Sequence, residues 1–212
     1  MNIVSTKHEF NSAMIGMILF DGSMPNDHCL YLRHGGRQLS LVDEKVEYIS
    51  KYLAPKSLRS GVDKKGYEYR YAYFNNDKLK FLYDDIYIDC KKHLSQKLLN
   101  RFDKETLAFM YIDDGCLCLH KDKNNPFIYK SREILISTNS FSFEEVDRLT
   151  YCIRKKYDVD FHITKDKGRP RIWCNTKNTI KFLEIVAPVV KNFPSCRYKL
   201  DLKYKSKNIS FL

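Results

Sequence analysis

Hydrophobic and polar positions fall into three patterns along this chain. Two runs, MIGMILFDG at 14–22 and LAFMYIDDG at 107–115, are apolar at nearly every position and end in Asp-Gly. A helix with no polar face must be buried on all sides, and a carboxylate at its end is costly near a core unless something compensates it. If the two helices pack side by side, Asp21 and Asp114 emerge together. The other two patterns, strand-like alternation and amphipathic helix spacing, follow each run in the same order. After Gly22 the chain reads as a strand at 28–34, a helix at 40–53, a hairpin about Asp63-Lys-Lys-Gly66 and a helix from about 77 to 89. After Gly115 it reads as a hairpin around Asn124-Asn125-Pro126, a strand at 134–138, a helix at 143–157, a hairpin about Asp166-Lys-Gly168 and a helix from about 177 to 186. Ser142 with Glu145 three residues later forms a capping box for the helix at 143. A helix-strand-strand-helix-strand-strand-helix unit occurring twice predicts an α+β fold, with halves at 1–98 and 99–212. The connection at 92–103 has no Gly or Pro and reads as helical, with Ser95 as a cap, and Asp103 is placed to cap the second apolar helix.

Charge and cysteine content narrow the class. Lys and Arg number 37 against 26 acidic residues, a net charge of +11, with no basic block of five or more. That describes basic surfaces on a folded protein and suits a polyanionic partner, because neutralising phosphates supplies most non-specific affinity for duplex DNA. Fifteen Tyr and thirteen Phe against six Pro and eight Gly argue for ordered strands and aromatic cores. The seven cysteines are odd in number and contain no C-x-x-C, so neither a disulfide framework nor a zinc site is signalled. Cys116 and Cys118 have the spacing of packed strand residues. No secretory leader opens the chain and the apolar run at 13–20 is too short to span a bilayer, so an intracellular protein is expected; bacterial cytoplasm and organelle matrix fit equally.

The paired nonapeptides resemble the duplicated signature of the LAGLIDADG homing endonucleases, in the single-chain, two-motif branch. The stretches at 137–157 and 198–200 (YKL) are also similar to the second half of such enzymes. The chain departs from the pattern at the third motif position, Gly16 against Phe109, and at the seventh, Phe20 against Asp113. The resemblance implies two halves packed through the motif helices, with a β-saddle over DNA. It also implies a magnesium-dependent double-strand cut, in a monomer, at a long target that is asymmetric because the halves differ. It makes Asp21 and Asp114 catalytic metal ligands, with one catalytic lysine per half, Lys91 (or Lys92, one residue on) and Lys199. Asp113 turns away by about a hundred degrees from Asp114 and reads as structural. His8, His28, His34, His93, His120 and His162 lack metal-ligand spacing and receive no catalytic role. The same fold also serves RNA-binding intron maturases, with host intron RNA as partner, and a regulator that lost catalysis is a third reading. Retention of both Asp residues counts against the last two.

The hairpin strands are expected to supply the DNA surface. Along 169–175, Arg169, Arg171 and Trp173 share one face, and Ile172 and Cys174 the other. Aligning Lys80-Phe81-Leu82 with Lys181-Phe182-Leu183 puts Glu68, Arg70 and Ala72 at the equivalent groove positions and turns Tyr69, Tyr71 and Tyr73 to the core. Arg59 matches His162 on the neighbouring strand. Arg59, Arg70, Arg169, Arg171 and Trp173 are therefore expected to face bases, where Arg can take guanine O6 and N7 together. Lys64, Lys65, Lys121, Lys123, Lys130, Arg132 and Lys167 lie on or beside turns and are expected to bind phosphate.

Overall fold

The computed structural model describes residues 3–125 and 128–203. Its first half runs α1 (Lys7–Leu19), β1 (Ser23–Asn26), β2 (Cys29–Gly35), α2 (Leu39–Ile49), β3 (Ser57–Val62), β4 (Glu68–Asn75) and α3 (Lys80–Ile86). A small hairpin, β5 (Tyr87–Ile88) with β6 (Lys91–Lys92), and a short helix α4 (Gln96–Leu99) lead to the second half. That half repeats the order: α5 (Lys104–Asp114), β7 (Gly115–Lys121), β8 (Tyr129–Ser137), α6 (Phe143–Tyr157), β9 (His162–Asp166), β10 (Arg169–Cys174) and α7 (Thr176–Val190), closed by a 3-10 segment Pro194–Leu200. The sheets have the same antiparallel order, β1-β2-β4-β3 and β7-β8-β10-β9. The α+β duplication expected from the pattern is present. The expected turn at Asn124-Asn125-Pro126 reaches residues outside the described ones.

Burial is continuous from Ser12 to Leu19 in α1 and from Glu105 to Ile112 in α5, as helices without a polar face require. The two pack on each other, and the mismatch at the third motif position is what lets them meet. A Cβ on Gly16 would lie 2.7 Å from the Phe109 Cβ and 3.0 Å from the Thr106 carbonyl oxygen, so the bare backbone of one helix receives the ring-bearing residue of the other. Thr106 Oγ1 donates to the Ser12 carbonyl at 2.9 Å across the same contact. The N-termini are capped as expected for α5 by Asp103, for α6 by the Ser142–Glu145 box and for α4 by Ser95. A further box, Thr6 with Glu9, starts α1.

Several boundaries differ from the sequence reading. The helix expected at 40–53 ends at Ile49. The helix expected at 77–89 is a 3-10 turn Asp77–Leu79 followed by α3, which stops at Ile86. There Asp89 and Cys90 both take positive φ (48° and 59°), closing the β5–β6 hairpin. Two successive left-handed residues suit a two-residue hairpin, but Asp-Cys lacks the glycine that would have signalled it. The linker is mostly this hairpin and extended chain, so its helix shrinks to α4, and the expected boundary between residues 98 and 99 falls inside it.

Candidate active site

Each motif helix ends at its Asp-Gly and passes at once into the first strand of its sheet, which brings Asp21 and Asp114 to one end of the α1–α5 pair. The glycines are forced by close approach: a Cβ on Gly22 would meet the Met17 carbonyl oxygen at 2.7 Å, and one on Gly115 the Tyr111 carbonyl oxygen at 2.6 Å. Burial first, and then the Asp21 carboxylate, push the Asp114 carboxyl up to about 6, while Lys92, Lys199 and Lys45 pull it down. Two carboxylates brought to one point form an all-oxygen donor set, which fits a hard divalent cation such as magnesium.

The carbonyls freed at the two helix ends are capped by lysines in matching places. Lys92 Nζ donates to Leu19 O (3.2 Å) and Gly22 O (2.7 Å). Lys199 Nζ donates to Tyr111 O (3.0 Å), Ile112 O (2.6 Å) and Gly115 O (2.7 Å). Leu19 and Ile112 are the sixth, and Gly22 and Gly115 the ninth, residues of their motifs, so these lysines are structural equivalents. Lys91 is exposed on the same hairpin and reaches neither carbonyl, so the first-half position belongs to its neighbour; β6 alternates, and only one of the two can turn inward. Burial lowers the affinity of Lys92 and Lys199 for their protons, and the nearby carboxylates Asp21 and Asp114 (for Lys92) and Asp113 and Asp21 (for Lys199) oppose it. A cation at a helix C-terminus also complements its dipole.

One residue that the sequence did not single out, Lys45, and two it gave no catalytic role, His34 and Asp113, lie beside Asp21. Lys45 of α2 is fully buried; its Nζ contacts Asp113 Oδ1 at 2.5 Å and His34 Nε2 at 2.9 Å. His34 of β2, denied a role because its spacing matched no ligand pattern, brings Nδ1 to 3.6 Å from Asp21 Oδ2. Burial, then Lys45, hold the imidazole neutral by lowering its pKa to about 3. The Asp113 side chain is buried, as a structural residue would be; burial pushes its carboxyl up and the Lys45 ammonium pulls it down. Asp21, His34 and Asp113 each bring one ligand-capable atom within 4.8 Å of the others, but the Lys45 ammonium touches two of them, so this trio holds its own counter-charge.

A cleft of about 600 Å³ runs from Asp21, Ser23 and His34 to Arg33, Asp63 and Tyr69 on the sheet face away from the helices. On the second-half sheet that face carries Arg171, half-buried near Asp166 (3.8 Å), Trp173, tilted over His162 (5.0 Å), and exposed Arg169, bonded to Asn139 O. On the first-half sheet it carries Arg59, opposite Tyr71. The rest of the first-half expectation is inverted. Ala72 and Phe74 are buried under the sheet, and Arg70 lies on that side, bound to Asp43 of α2 and to Ser60 Oγ. Tyr31, Arg33, Tyr69, Tyr71 and Tyr73 stand on the open face, with Tyr31 and Tyr73 ring centroids 4.7 Å apart and the Arg33 guanidinium 3.8 Å over Tyr69. β4 runs one residue further than β10 before its Asn cap: Phe74 precedes Asn76 by two, Cys174 precedes Asn175 by one. With a period of two, that residue flips every side chain. Arg132 is likewise removed from the expected phosphate contacts: it is buried, donating to Leu202 O and Tyr129 O. Lys64, Lys65, Lys121, Lys123, Lys130 and Lys167 are exposed at or beside turns.

A duplicated motif pair with its carboxylates at one helix junction and two lysine-capped helix ends defines a site shared between pseudo-equivalent halves. The chain belongs to the LAGLIDADG DNA endonuclease family, whose model matches residues 11–182. Its sequence is 26% identical over 209 residues to cytochrome b mRNA maturase bI2 of Saccharomyces cerevisiae, covering 84% of this chain and 45% of that protein. It is 26% identical over 138 residues to probable intron-encoded endonuclease 1 of Wickerhamomyces canadensis, covering 65% and 50%. The chain thus spans about half the length of the curated relatives it matches. The homing endonuclease I-WcaI, solved bound to its DNA recognition sequence, shares the fold with a TM-score of 0.74 and 22% identity over 94% of this chain and 88% of that one. Among the described residues no helix is long and apolar enough to cross a membrane.

Proposed function

We propose that this chain is a site-specific homing endonuclease that makes a metal-dependent double-strand cut in a long asymmetric DNA target, acting inside the cell as a monomer. The observation that carries the reading is the joint emergence of Asp21 and Asp114 from two helices buried from Ser12 to Leu19 and from Glu105 to Ile112, with the Asp114 carboxyl pushed up by burial and by its partner. Asp21 and Asp114 would hold magnesium, which supplies Lewis-acid stabilisation of the charge that develops on a phosphate under attack. Lys92 and Lys199, fixed by backbone carbonyls, place positive charge beside the two carboxylates. Arg59, Arg33, Arg169, Arg171 and Trp173 then offer the open sheet faces to bases, while the turn lysines meet phosphate. The solved DNA complex of I-WcaI supports duplex DNA as the ligand of this fold.

In a selection from random duplexes with magnesium, the full chain is expected to cut a single long, non-palindromic sequence. Asp21→Asn and Asp114→Asn should each abolish the double-strand cut and keep binding, because removing a carboxylate removes repulsion from phosphate. Wild-type-like cutting by either variant would overturn the assignment. The second reading, an intron maturase, is favoured by the extensive similarity to cytochrome b mRNA maturase bI2. Tight binding of the intron RNA of its own host gene, with every duplex left intact at saturating protein and magnesium, would decide for it.

A further inference from the structure

The two carboxylate centres are not built alike. Asp113, Lys45, His34 and Asp21 form a chain of contacts at 2.5, 2.9 and 3.6 Å that ties the end of α5 to the end of α1 through α2 and β2. Lys45 is 0% exposed and the His34 side chain 3%. Because an ammonium can only donate, His34 Nε2 is the acceptor, and a neutral ring then carries its proton on Nδ1, the atom that faces Asp21.

Among the described residues the second half has nothing equivalent. Sheet register pairs Leu32 with Ala72 and Ile136 with Ile172, so the residue two beyond each, His34 and Thr138, are counterparts. Thr138 donates its hydroxyl to Pro170 O. The counterpart of Asp113 is Phe20, which packs edge-on against Phe141. The buried residues of α6 are Glu145, Val146, Leu149, Thr150 and Ile153, none of them cationic. Among the described residues Asp114 feels the charges of Asp21, Lys92, Lys199 and Lys45.

We propose that His34 and Lys45 are positioning residues that orient the Asp21 carboxylate by turning the N–H of His34 Nδ1 towards it at 3.6 Å, so that the centre on Asp21 is preset and the centre on Asp114 is not. The inference rests on the nuclease reading above. Its consequence is strand-specific: loss of the donor slows one strand and leaves the other. Asparagine at position 34 places an amide N–H near the Nδ1 position, and leucine places none.

The test follows each strand separately, with distinct end labels, on the duplex selected with wild-type protein. Relative to wild type, His34→Leu and Lys45→Met should slow one and the same strand by about tenfold, the loss of one favourable polar contact at Asp21, and accumulate a duplex nicked on the other strand. His34→Asn should recover most of that rate. Equal slowing of both strands, or no rescue by Asn, would reduce the network to a structural role and overturn the proposal. A second readout needs no cutting: side-chain 15N spectra of the free protein should show His34 protonated at Nδ1, with that preference lost in Lys45→Met. A ring protonated at Nε2 overturns the network even if wild-type protein cuts DNA. Wild-type protein that cuts nothing overturns the nuclease reading and the strand bias with it, while the nitrogen spectra still decide whether the buried chain of contacts exists.

Discussion

Arg70 and Arg171 look interchangeable in sequence, each in a short strand after a Lys-Gly turn, yet one faces a helix and the other the open face of its sheet. Arg171→Ala and Arg59→Ala are expected to cost about 1–3 kcal/mol of binding and relax preference at one base pair each, measured against single-base variants of the selected site. Arg70→Ala should leave the preference unchanged and lower stability by at most about 1 kcal/mol, since its ion pair with Asp43 is partly solvated. Lys64→Ala and Lys167→Ala should weaken all sequences alike and lower the salt slope by about one. Glu105 carries a pH prediction far from these residues. It is 3% exposed at the start of α5, and burial, then Asp103, raise its pKa to about 7. The folded state therefore holds this proton more tightly than the unfolded chain, and stability falls as pH rises from about 4.5 towards 7. Glu105→Gln should flatten that part of the denaturation profile and gain on the order of 1 kcal/mol over wild type at pH 8 compared with pH 5.

At the scale of elements, the helix pair and its caps set the site. Gly16→Ala puts a methyl 2.7 Å from the Phe109 Cβ and 3.0 Å from backbone, so urea unfolding should show a loss of about 1–3 kcal/mol. Adding Phe109→Ala should not restore it, because alanine keeps the clashing Cβ. Lys199→Met removes the ammonium that donates to three carbonyls at the end of α5, of which Tyr111 O keeps its bond from the Gly115 N–H, and should lower stability by about 1–3 kcal/mol, whereas Lys91→Met, on the exposed side of β6, should change neither stability nor cutting. These differences separate a capping lysine from its neighbour one residue away.

The whole molecule is two similar units that share one core. α4 sits between them: Leu98 and Leu99 are buried, the Cys152 thiol of α6 donates to Leu99 O, and Glu145 of α6 accepts from the Leu94 N–H. Separate expression of residues 1–98 and 99–212 should give two aggregating chains without nuclease activity, since each exposes a helix apolar on every face and cuts α4 in two. The intact chain should sediment as a monomer and cut with a rate first order in protein. A half that folds and cuts alone would show that the centre is not shared.

The sequence by itself determined what rests on local periodicity and on the chemistry of single residues. Two helices without a polar face demanded a shared buried interface, Asp-Gly at both ends brought the carboxylates to one point, and Ser142, Asp103 and Ser95 marked helix starts through bonds to amides within three residues. Arg169, Arg171 and Trp173 alternated correctly because a strand's faces follow from its own residues. Only the tertiary structure decided the rest. Which face of β4 is inner depends on one residue before the Asn76 cap, and the choice between Lys91 and Lys92 depends on a positive-φ turn at Asp89–Cys90 that composition did not signal. His34 and Lys45 stand 11 residues apart and meet Asp113 across 68 more; no spacing rule connects them, because the contact exists only where α2 and β2 of one half pack against the motif helix of the other.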